Sequence, residues 1–282
     1  MVRDKRILVS GGAGSIGSEL VRQLAINNKI FILDSDETRT FNLSEELKQK
    51  GYWVYYRIGD VRNIETVRDV YSDFKPQIII NAAALKHVTP AQIYPREYVM
   101  TNIIGNLNLI EESKNWECFE KFVFISTDKV ISDRKGVMGA TKMCSERITT
   151  AMGKEFMSVR FGNVMFSRGS VLEIWKRQFE NGEPLTITDI RMERYMMSIP
   201  QACELVIEAM EYGKDGEVYI LDMGEKKKII DLKEKLYPGY PIKIIGIRQG
   251  ETLTEKLMTE EESKVAIKKN KFWIINGESN SL

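Results

Sequence analysis

Short apolar runs alternate with amphipathic stretches along the first 165 residues of the chain. The runs are rich in β-branched and aromatic side chains, and they occupy residues 7–9, 30–33, 53–56, 78–80 and 122–125. Continuous apolar runs of this length are typical of strands that are buried on both faces of a parallel sheet. Between them, Ile16, Leu20, Val21 and Leu24 follow the spacing of a half-buried helix. Strands that alternate with helices predict an α/β fold with a doubly wound parallel sheet.

The pattern changes in the second part of the chain. Pro184 and the polar residues 186–194 interrupt it, after which Pro200 begins a helical pattern. Residues 218–221 have the pattern of one more strand of the sheet. We therefore expect a smaller second domain whose chain passes back through the first one.

Composition and charge exclude several classes of protein. The 282 residues include 41 Lys and Arg against 40 Asp and Glu, a net charge of +1, which argues against a partner that is a nucleic acid. The three cysteines are far apart and the chain has a single histidine, His87, so neither a disulfide framework nor a metal site is expected. Because no apolar run approaches the ~18 residues of a membrane span and no leader precedes the first strand, we predict a soluble cytoplasmic protein without a membrane partner.

A glycine-rich segment lies between the first predicted strand and the first predicted helix. It reads Gly11-Gly12-Ala13-Gly14-Ser15-Ile16-Gly17, with glycines in a GxxGxxG spacing. Glycines allow the tight turn and the approach of a pyrophosphate, and the helix start supplies N–H donors. In this strand–turn–helix context the motif predicts a dinucleotide site formed by Gly11, Gly14, Ser15, Ile16 and Gly17.

Residues after the next three strands complete the predicted cofactor site. Asp34 ends the second strand, where an acid can bind ribose hydroxyls, and this favours NAD over NADP. Arg39 nearby keeps NADP as an alternative. After the third strand, the pair Asp60-Val61 either reaches the adenine edge or caps a helix. Ala82 and Ala83 after the fourth strand are the remaining predicted contacts.

These motifs divide the chain into two predicted domains. The dinucleotide-binding Rossmann domain is expected at residues 1–164, with residues 196–224 returning to it. The second domain is expected to consist of residues 165–195 and 225–282.

Two further segments carry groups that can transfer protons. Ser126-Thr127-Asp128-Lys129 follows the fifth strand, at the sheet edge where ligands bind in such folds. Met138-Gly139-Ala140-Thr141-Lys142 begins a helix. The i, i+4 spacing places Met138 and Lys142 on one face of that helix.

Together these motifs resemble the extended short-chain dehydrogenase/reductase superfamily and, more closely, the UDP-N-acetylglucosamine 4,6-dehydratases of capsule biosynthesis and flagellin glycosylation. The matching stretches occur in the family's order between about residue 5 and about residue 257. They are residues 81–88, 126–129, 137–142, 160–164, 167–170, 194–197 and 247–251.

The resemblance implies a role for each catalytic residue. Thr127 is the hydroxyl of the family's triad, and Lys142 is the lysine that holds the nicotinamide ribose. Asp128 protonates the departing C6 hydroxyl, and Lys129 removes the C5 proton, which requires a lowered lysine pKa. Met138 stands where the superfamily has tyrosine, and a thioether cannot accept the proton of the C4 hydroxyl. A subset of these dehydratases carries Met at this place, and Asp128 is then the expected C4 base.

The resemblance also implies a site for a UDP sugar in the second domain. Guanidinium groups bind phosphate oxygens in pairs, and a carboxylate accepts from ribose hydroxyls. The implied substrate contacts are Lys86, Asn163, Arg168, Arg194, Arg248 and Glu251. His87 is expected to be a packing residue, and Asn102 is expected to organise the active-site strands.

The sequence therefore predicts an NAD-dependent or NADP-dependent dehydratase of a UDP-N-acetylhexosamine. The resemblance implies a homo-oligomer, either a dimer or a hexamer. Three alternatives stay open: a UDP-sugar epimerase, a dehydratase that leaves a 5,6-alkene, and a non-catalytic dinucleotide-binding sensor, which Met138 makes conceivable. The stereochemistry at C5 is not predicted.

Overall fold

The structure is a computed structural model, and it describes residues 2–131 and 136–276. Its strands are β1 (Arg6–Ser10), β2 (Lys29–Asp34), β3 (Val54–Ile58), β4 (Ile78–Asn81), β5 (Lys121–Ile125), β6 (Phe156–Arg160), β7 (Asn163–Val164), β8 (Leu185–Ile187), β9 (Glu193–Arg194), β10 (Met196–Met197), β11 (Val218–Leu221), β12 (Lys227–Lys228), β13 (Ile242–Ile244), β14 (Ile267–Lys269) and β15 (Phe272–Ile275). A 3₁₀ turn occupies Asp128–Ile131 and a π-helix occupies Val99–Ile104.

The α-helices lie mostly between these strands. They are α1 (Ser15–Leu24), α2 (Glu37–Gln49), α3 (Ile64–Phe74), α4 (Val88–Ile93), α5 (Pro95–Tyr98), α6 (Gly105–Ser113), α7 (Val137–Ala151), α8 (Val171–Glu180), α9 (Ile199–Tyr212), α10 (Ile229–Leu236) and α11 (Glu260–Val265). No helix in the described part of the chain has both the length and the apolar character that a membrane span requires.

Nine strands of the described residues form one sheet in the order β14-β15-β11-β6-β5-β4-β1-β2-β3. Within this order, the seven neighbouring strands β11, β6, β5, β4, β1, β2 and β3 run parallel. Strand β15 is antiparallel to β11, and β14 is antiparallel to β15. The predicted doubly wound α/β fold is therefore confirmed. The order reverses at β1, which pairs with both β2 and β4, and ligands bind at such a switch point.

Both faces of the sheet are covered by helices, which explains why its central strands are apolar throughout. In β1, Ile7 and Val9 join a core with side chains of α1, α2 and α9. Leu8 points to the opposite face and packs with side chains of α3 and α6. Because both side-chain rows of β1 are buried, a continuous apolar run is required there.

One predicted strand differs from the others in its surroundings. Residues 54–56 of this run belong to β3, which lies at the edge of the sheet, and Trp53 directly precedes the strand. Trp53 is 72% exposed and Tyr55 is 57% exposed, so the interpretation of this run as a strand buried on both faces is wrong. Aromatic residues favour strands in general, and the run alone does not distinguish an edge from a centre.

The elements predicted for the second part of the chain also form. Helix α9 begins with a capping box in which the Ser198 side chain and Gln201 bond each other's backbone, and Pro200 lies in its first turn. Strand β11 joins the main sheet beside β6. The helix start follows a local signal, since capping residues and proline mark helix starts. The strand follows its own apolar run.

The smaller part of the molecule has its own apolar core around Trp175. This side chain packs with Leu185 and Ile187 of β8, and its Nε1 donates to the Thr186 carbonyl at 2.8 Å. The predicted second domain also includes residues 267–275, but these extend the main sheet as β14 and β15 because Phe272, Ile274 and Ile275 are buried there. The division of the chain into two domains stays a prediction.

Candidate active site

The glycine-rich loop leads from the end of β1 into the first turn of α1. Gly11 has a φ of +66°, and a Cβ added to it would lie 2.6 Å from the backbone nitrogen of Ala83. A Cβ on Gly17 would overlap the Gly11 carbonyl oxygen. Both positions therefore require glycine. Ser15 begins the helix, so the unbonded N–H groups of the helix start lie at this loop, where they suit an anion.

The carboxylate of Asp34 braces this loop from the end of β2. It accepts hydrogen bonds of 2.9 Å from the N–H groups of Ala13 and Asp36. Its two oxygens have further lone pairs, so it can still accept from ribose hydroxyls. Arg39 is directed to the carboxylate of Asp36 instead, with its Nε at 3.4 Å. In this arrangement an acidic side chain, and not Arg39, contacts the glycine-rich loop.

The residues after β3 and β4 are placed by their own local contacts. Asp60 accepts from the Arg62 N–H at 2.9 Å and from its Nε at 2.7 Å. The interpretation of Asp60 as a helix cap is wrong, because Asn63 caps α3. Ala82 and Ala83 lie against Gly11 at the end of β4, which keeps them beside the glycine-rich loop.

A cavity of about 620 Å³ extends from this loop to the segment around Glu251. Its volume is within the usual range for small-molecule sites. The predicted cofactor residues in its wall are Gly11, Gly14, Ser15, Ile16, Gly17 and Ala82. The predicted catalytic residues in its wall are Thr127, Lys129, Met138 and Lys142. The predicted substrate residues in its wall are Lys86, Asn163, Arg168, Arg194, Arg248 and Glu251.

The structure places five predicted cofactor residues of the described chain outside this wall: Asp34, Arg39, Asp60, Val61 and Ala83. Val61 is only 5% exposed. Asp34 and Ala83 contact the loop directly, whereas Arg39 is paired with Asp36 and Asp60 with Arg62. Their roles toward a cofactor stay predictions.

Asp128 and Lys129 form an ion pair at the carboxyl end of β5. Ser126 and Thr127 separate the strand from the 3₁₀ turn, and the Asp128 N–H donates to the Phe161 carbonyl at 3.1 Å. Lys129 Nζ lies 3.0 Å from Asp128 Oδ1, and the Thr127 hydroxyl donates to the same oxygen at 3.1 Å. The Asp128 side chain is fully buried, and its second oxygen accepts no hydrogen bond from the described residues. That oxygen is suited to accept a proton.

The pKa values of both members of this pair are raised, but for different reasons. Burial raises the pKa of Asp128 to about 7. Burial also lowers the pKa of Lys129, but the carboxylates of Asp128 and Glu255 outweigh it, and the Lys129 pKa is raised. The expectation of a lowered Lys129 pKa is therefore wrong for this state of the site. The reason is a second carboxylate, Glu255, that comes from a distant part of the chain.

Helix α7 places Met138 and Lys142 on the same face, as predicted. Met138 is 3% exposed and packs against apolar side chains of α4 and α5. Lys142 Nζ donates to the Ile125 carbonyl and lies 3.9 Å from the centre of the Phe124 ring. Burial lowers the pKa of Lys142 to about 7. Helix α7 thus offers one titratable group and one inert thioether to the cavity.

Asn102 ties this helix to the loop after β4. Its amide oxygen accepts from the Leu85 N–H at 2.8 Å, and its amide nitrogen donates to the Leu85 carbonyl at 3.0 Å. The same nitrogen donates to the Thr141 hydroxyl at 3.0 Å. The side chain is therefore fully bonded in the interior, in agreement with an organising role.

Lys86 and Asn163 lie at the sugar-nucleotide end of the predicted site. Lys86 Nζ donates to the Ser167 hydroxyl at 3.3 Å, and burial lowers its pKa. The amide oxygen of Asn163 accepts from Lys129 Nζ at 3.1 Å, so Asn163 belongs to the acid–base cluster. His87 is exposed, places its ring against the loop after β7 and lines the cavity, so its expected packing role stays a prediction.

Arg168 lies elsewhere than its predicted role suggests. Its backbone N–H donates to the Ser15 hydroxyl at 3.0 Å. Its guanidinium lies 3.7 Å from the carboxylate of Asp36. These contacts place Arg168 beside the glycine-rich loop, at the end of the cavity that is predicted to hold the cofactor. Its predicted contact with the substrate stays a prediction.

The two other arginines differ in how many contacts their guanidinium groups make within the protein. Arg194 is 8% exposed, and its Nη atoms donate to the carbonyls of Thr252 at 2.6 Å and Leu253 at 3.0 Å. Arg248 is exposed, and its backbone N–H donates to the Glu251 carboxylate at 3.2 Å. Because no ion pair engages the Arg248 guanidinium within the described residues, this side chain is the freer of the two to bind a phosphate.

Glu255 belongs to the site although the sequence did not single it out. It is 8% exposed. One of its oxygens lies 3.2 Å from Lys129 Nζ and 3.3 Å from Arg194 Nε. The available signal was its place in the segment that begins with Arg248, but the chain carries many similar acids, and only the fold reveals which one is buried.

A model of the family described as "Polysaccharide biosynthesis protein" matches residues 7–277. The chain belongs to this polysaccharide biosynthesis protein family. The predicted resemblance is thereby confirmed at the level of the family and its extended short-chain dehydrogenase/reductase fold.

Several named proteins are similar to this chain in sequence. The capsular polysaccharide biosynthesis protein CapD of Staphylococcus aureus is 40% identical over 276 residues, which are 92% of this chain and 46% of CapD. The chain thus spans less than half the length of that relative. A UDP-N-acetylglucosamine 4,6-dehydratase (inverting) of Campylobacter jejuni is 34% identical over 98% of this chain and 84% of its own. Other similar proteins are named UDP-glucose 4-epimerase.

Among solved structures, Pen from Bacillus thuringiensis has the same fold as the present chain. The superposition has a TM-score of 0.90 at 35% identity, and it covers 97% of this chain and 88% of Pen. The architecture described above is therefore that of a known structure along nearly the whole chain.

Proposed function

We propose that this protein is an NAD-dependent UDP-N-acetylglucosamine 4,6-dehydratase. The observation that carries the proposal is the ion pair of Asp128 and Lys129, 3.0 Å apart, in the same cavity region as the glycine-rich loop and Lys142. A 4,6-dehydration needs one group that gives a proton to a poor leaving group and one that takes a proton beside a ketone. The similarity to the Campylobacter jejuni dehydratase over 98% of this chain supports the same activity.

The residues around the glycine-rich loop fit a nicotinamide dinucleotide. Gly11 and Gly17 leave the space that a Cβ would fill, the start of α1 offers N–H donors, and Asp34 has lone pairs for ribose hydroxyls. When bound, such a cofactor supplies a hydride acceptor that gives the hydride back. Lys142 and Thr127 line the wall that would hold its nicotinamide end. The acid at position 34 favours NAD, with NADP as the alternative.

The protons of the reaction are assigned to the Asp128–Lys129 pair. Met138 has no proton-transfer group, so Asp128 accepts the proton of the C4 hydroxyl through the oxygen that accepts no hydrogen bond from the described residues. Asp128 then holds the proton that the departing C6 oxygen needs. Lys129 takes the C5 proton and returns one to C5 at the end. The proton of the C4 hydroxyl is thus the one that leaves with the water, while the hydrogen on C4 leaves as a hydride.

The raised pKa of Lys129 fits this order of events. Two carboxylates, those of Asp128 and Glu255, stabilise its ammonium. When Asp128 takes up the C4 proton, one of these charges disappears, and the pKa of Lys129 falls. The Lys129 side chain is 23% exposed, so it can release its own proton to water. Lys129 therefore becomes a base only after the first proton transfer.

Two alternatives predict different products. A 4-epimerase needs no base for C5, so the Asp128–Lys129 pair would have no function in it, although some similar proteins carry that name. A non-catalytic sensor would bind the dinucleotide and the UDP sugar without changing either. Met138 alone would agree with a sensor, but Asp128, Lys129 and Lys142 would then have no catalytic function.

The experiment that tests the proposal is incubation with UDP-GlcNAc, followed by mass spectrometry and chromatography. We expect a product lighter by one water. A product of unchanged mass with the retention time of UDP-GalNAc would indicate the epimerase, and unchanged substrate with bound cofactor would indicate the sensor. UDP-glucose in a parallel reaction tests whether the N-acetyl group is required.

A further inference from the structure

We propose that Glu255 is a positioning residue for the proton-transfer pair, because its carboxylate holds the ammonium of Lys129 and the guanidinium of Arg194 together. This inference rests on the proposed function. It concerns a residue that no sequence motif assigned.

The burial of Glu255 requires explanation. A carboxylate with 8% exposure is costly unless charged or hydrogen-bonded partners surround it. Glu255 has three of them: Lys129 Nζ at 3.2 Å, Arg194 Nε at 3.3 Å and Asn163 Nδ2 at 3.3 Å. All three partners line the cavity.

Glu255 supplies one of three oxygens that match the three donors of the Lys129 ammonium. The other two are Asp128 Oδ1 at 3.0 Å and Asn163 Oδ1 at 3.1 Å. An ammonium has three N–H donors and no acceptor. Without Glu255 one donor is unbonded and the long, flexible side chain can turn away from Asp128.

Arg194 connects Glu255 to the segment that is predicted to bind UDP. Its Nε contacts Glu255, and its Nη atoms donate to the carbonyls of Thr252 and Leu253. Arg248 and Glu251, the predicted nucleotide contacts, precede these residues in the same segment. A UDP sugar that orders this segment therefore also orders the carboxylate against Lys129.

The charge of Glu255 also acts on both members of the pair. Burial raises its pKa, but Lys129 and Arg194 outweigh burial and lower it to about 2, so Glu255 is ionised at any working pH. Its negative charge raises the pKa of Asp128 and that of Lys129.

Other charged or titratable groups face this cluster from neighbouring elements. Lys86, Arg248 and Glu251 line the same cavity, and Tyr195 interacts with Asp128. All of these groups are the same in the variants below, so a change in the pH profile reports on Glu255.

The test compares two variants that separate charge from anchoring. Glu255→Gln keeps an oxygen for Lys129 and removes the charge, whereas Glu255→Ala removes both. The matched control is Glu262→Gln, which also breaks an acid–arginine pair, with the buried Arg160 at 2.9 Å, but outside the cavity. The measurements are the pH profile of turnover and the incorporation of solvent deuterium at C5.

In Glu255→Gln we expect the acid limb of the pH profile to move to lower pH by about one unit or more, the usual effect of one close charge. In Glu255→Ala we expect the same shift and, in addition, C5 exchange that is at least about tenfold slower at the plateau. Glu262→Gln should lower thermal stability and leave the profile unchanged. Wild-type profiles in both Glu255 variants, with only a loss of stability, would overturn the proposal.

A second measurement keeps this test separate from the proposed function. The ζ-nitrogen of Lys129 is titrated by NMR in the protein without substrate, with Lys129→Gln to assign its signal. Glu255→Gln should lower the pKa of Lys129. If the wild-type protein does not dehydrate UDP-GlcNAc, the proposed function fails, while this titration still decides whether Glu255 holds the ammonium. An unchanged Lys129 pKa would contradict the proposal.

Discussion

The glycine-rich loop and the acid–base cluster lie in the walls of one cavity, but they are built differently. The loop consists of backbone groups from seven consecutive residues, and Asp34 braces it from the neighbouring strand. The cluster consists of side chains from four separate segments, contributed by Asp128 and Lys129, Asn163, Arg194 and Glu255.

This difference determines what each part of the site tolerates. The loop depends on the absence of side chains, because a Cβ on Gly11 or Gly17 would meet backbone atoms. The cluster depends on the balance between desolvation and charge, because Asp128, Lys129 and Glu255 shift one another's pKa. A substitution can therefore damage one part and leave the other in place.

The largest effect is expected for Asp128→Asn, which removes the proposed C4 base and C6 acid. Turnover should fall by on the order of 10²-fold to 10⁴-fold, the usual contribution of a general acid or base, while NAD affinity measured by calorimetry stays the same. The control is Met138→Leu, a change of similar volume that should cost less than about 1.5 kcal/mol of stability and little turnover. Equal losses in the two variants would remove Asp128 from the mechanism.

The pH dependence of kcat/KM should report the same residue. Burial raises the pKa of Asp128 to about 7, and the proposed base must be ionised. Turnover should therefore rise as the pH increases through about 7 and fall roughly tenfold per unit below it. The residual activity of Asp128→Asn should lack this limb. A limb that persists in the variant would belong to another group.

Two glycine substitutions should damage the two parts separately. Gly17→Ala introduces a Cβ against the Gly11 carbonyl, whereas Gly139→Ala introduces one 2.5 Å from the Lys129 carbonyl. Gly17→Ala should weaken NAD binding by at least about tenfold, and Gly139→Ala should slow turnover with NAD binding nearly intact. Calorimetry and steady-state kinetics measure the two effects. Loss of NAD binding in both variants would show that the parts are not independent.

The smallest effects are expected for two exposed arginines at opposite ends of the cavity. Arg168 contacts Ser15 and Asp36 beside the glycine-rich loop, so Arg168→Ala should weaken NAD binding. Arg248 is the freer guanidinium at the other end, so Arg248→Ala should weaken UDP binding. Each loss should be about fivefold, as for exposed charged contacts of ~1 kcal/mol. If Arg168→Ala instead weakened UDP binding and Arg248→Ala weakened NAD binding, the predicted substrate role of Arg168 would be restored.

Sequence patterns predicted the parts of this molecule that depend on neighbouring residues. The central strands, the glycine-rich loop and the face shared by Met138 and Lys142 follow from local periodicity and spacing. The exposure of Trp53 was not predictable from its run, because strand order is a property of the whole sheet.

The charge balance of the site was the least predictable feature. The Lys129 pKa depends on Glu255, which reaches the cluster from a segment more than a hundred residues later in the chain. The position of Arg168 depends on how the loop after β7 crosses to the start of α1. Neither contact leaves a periodic signal, since each arises from the packing of distant segments.

The central claim is that Asp128 and Lys129 move the protons of a reaction that is neutral in oxidation state. UDP-GlcNAc that carries deuterium at C4 tests it most directly, with NMR analysis of the product. We predict deuterium at C6, solvent hydrogen at C5, and no accumulation of free NADH, with Lys129→Ala blocking the exchange at C5 while NAD binding persists. Label retained at C4 of an alkene would indicate the 5,6-dehydratase, and release of one NADH per substrate would contradict the dehydratase altogether.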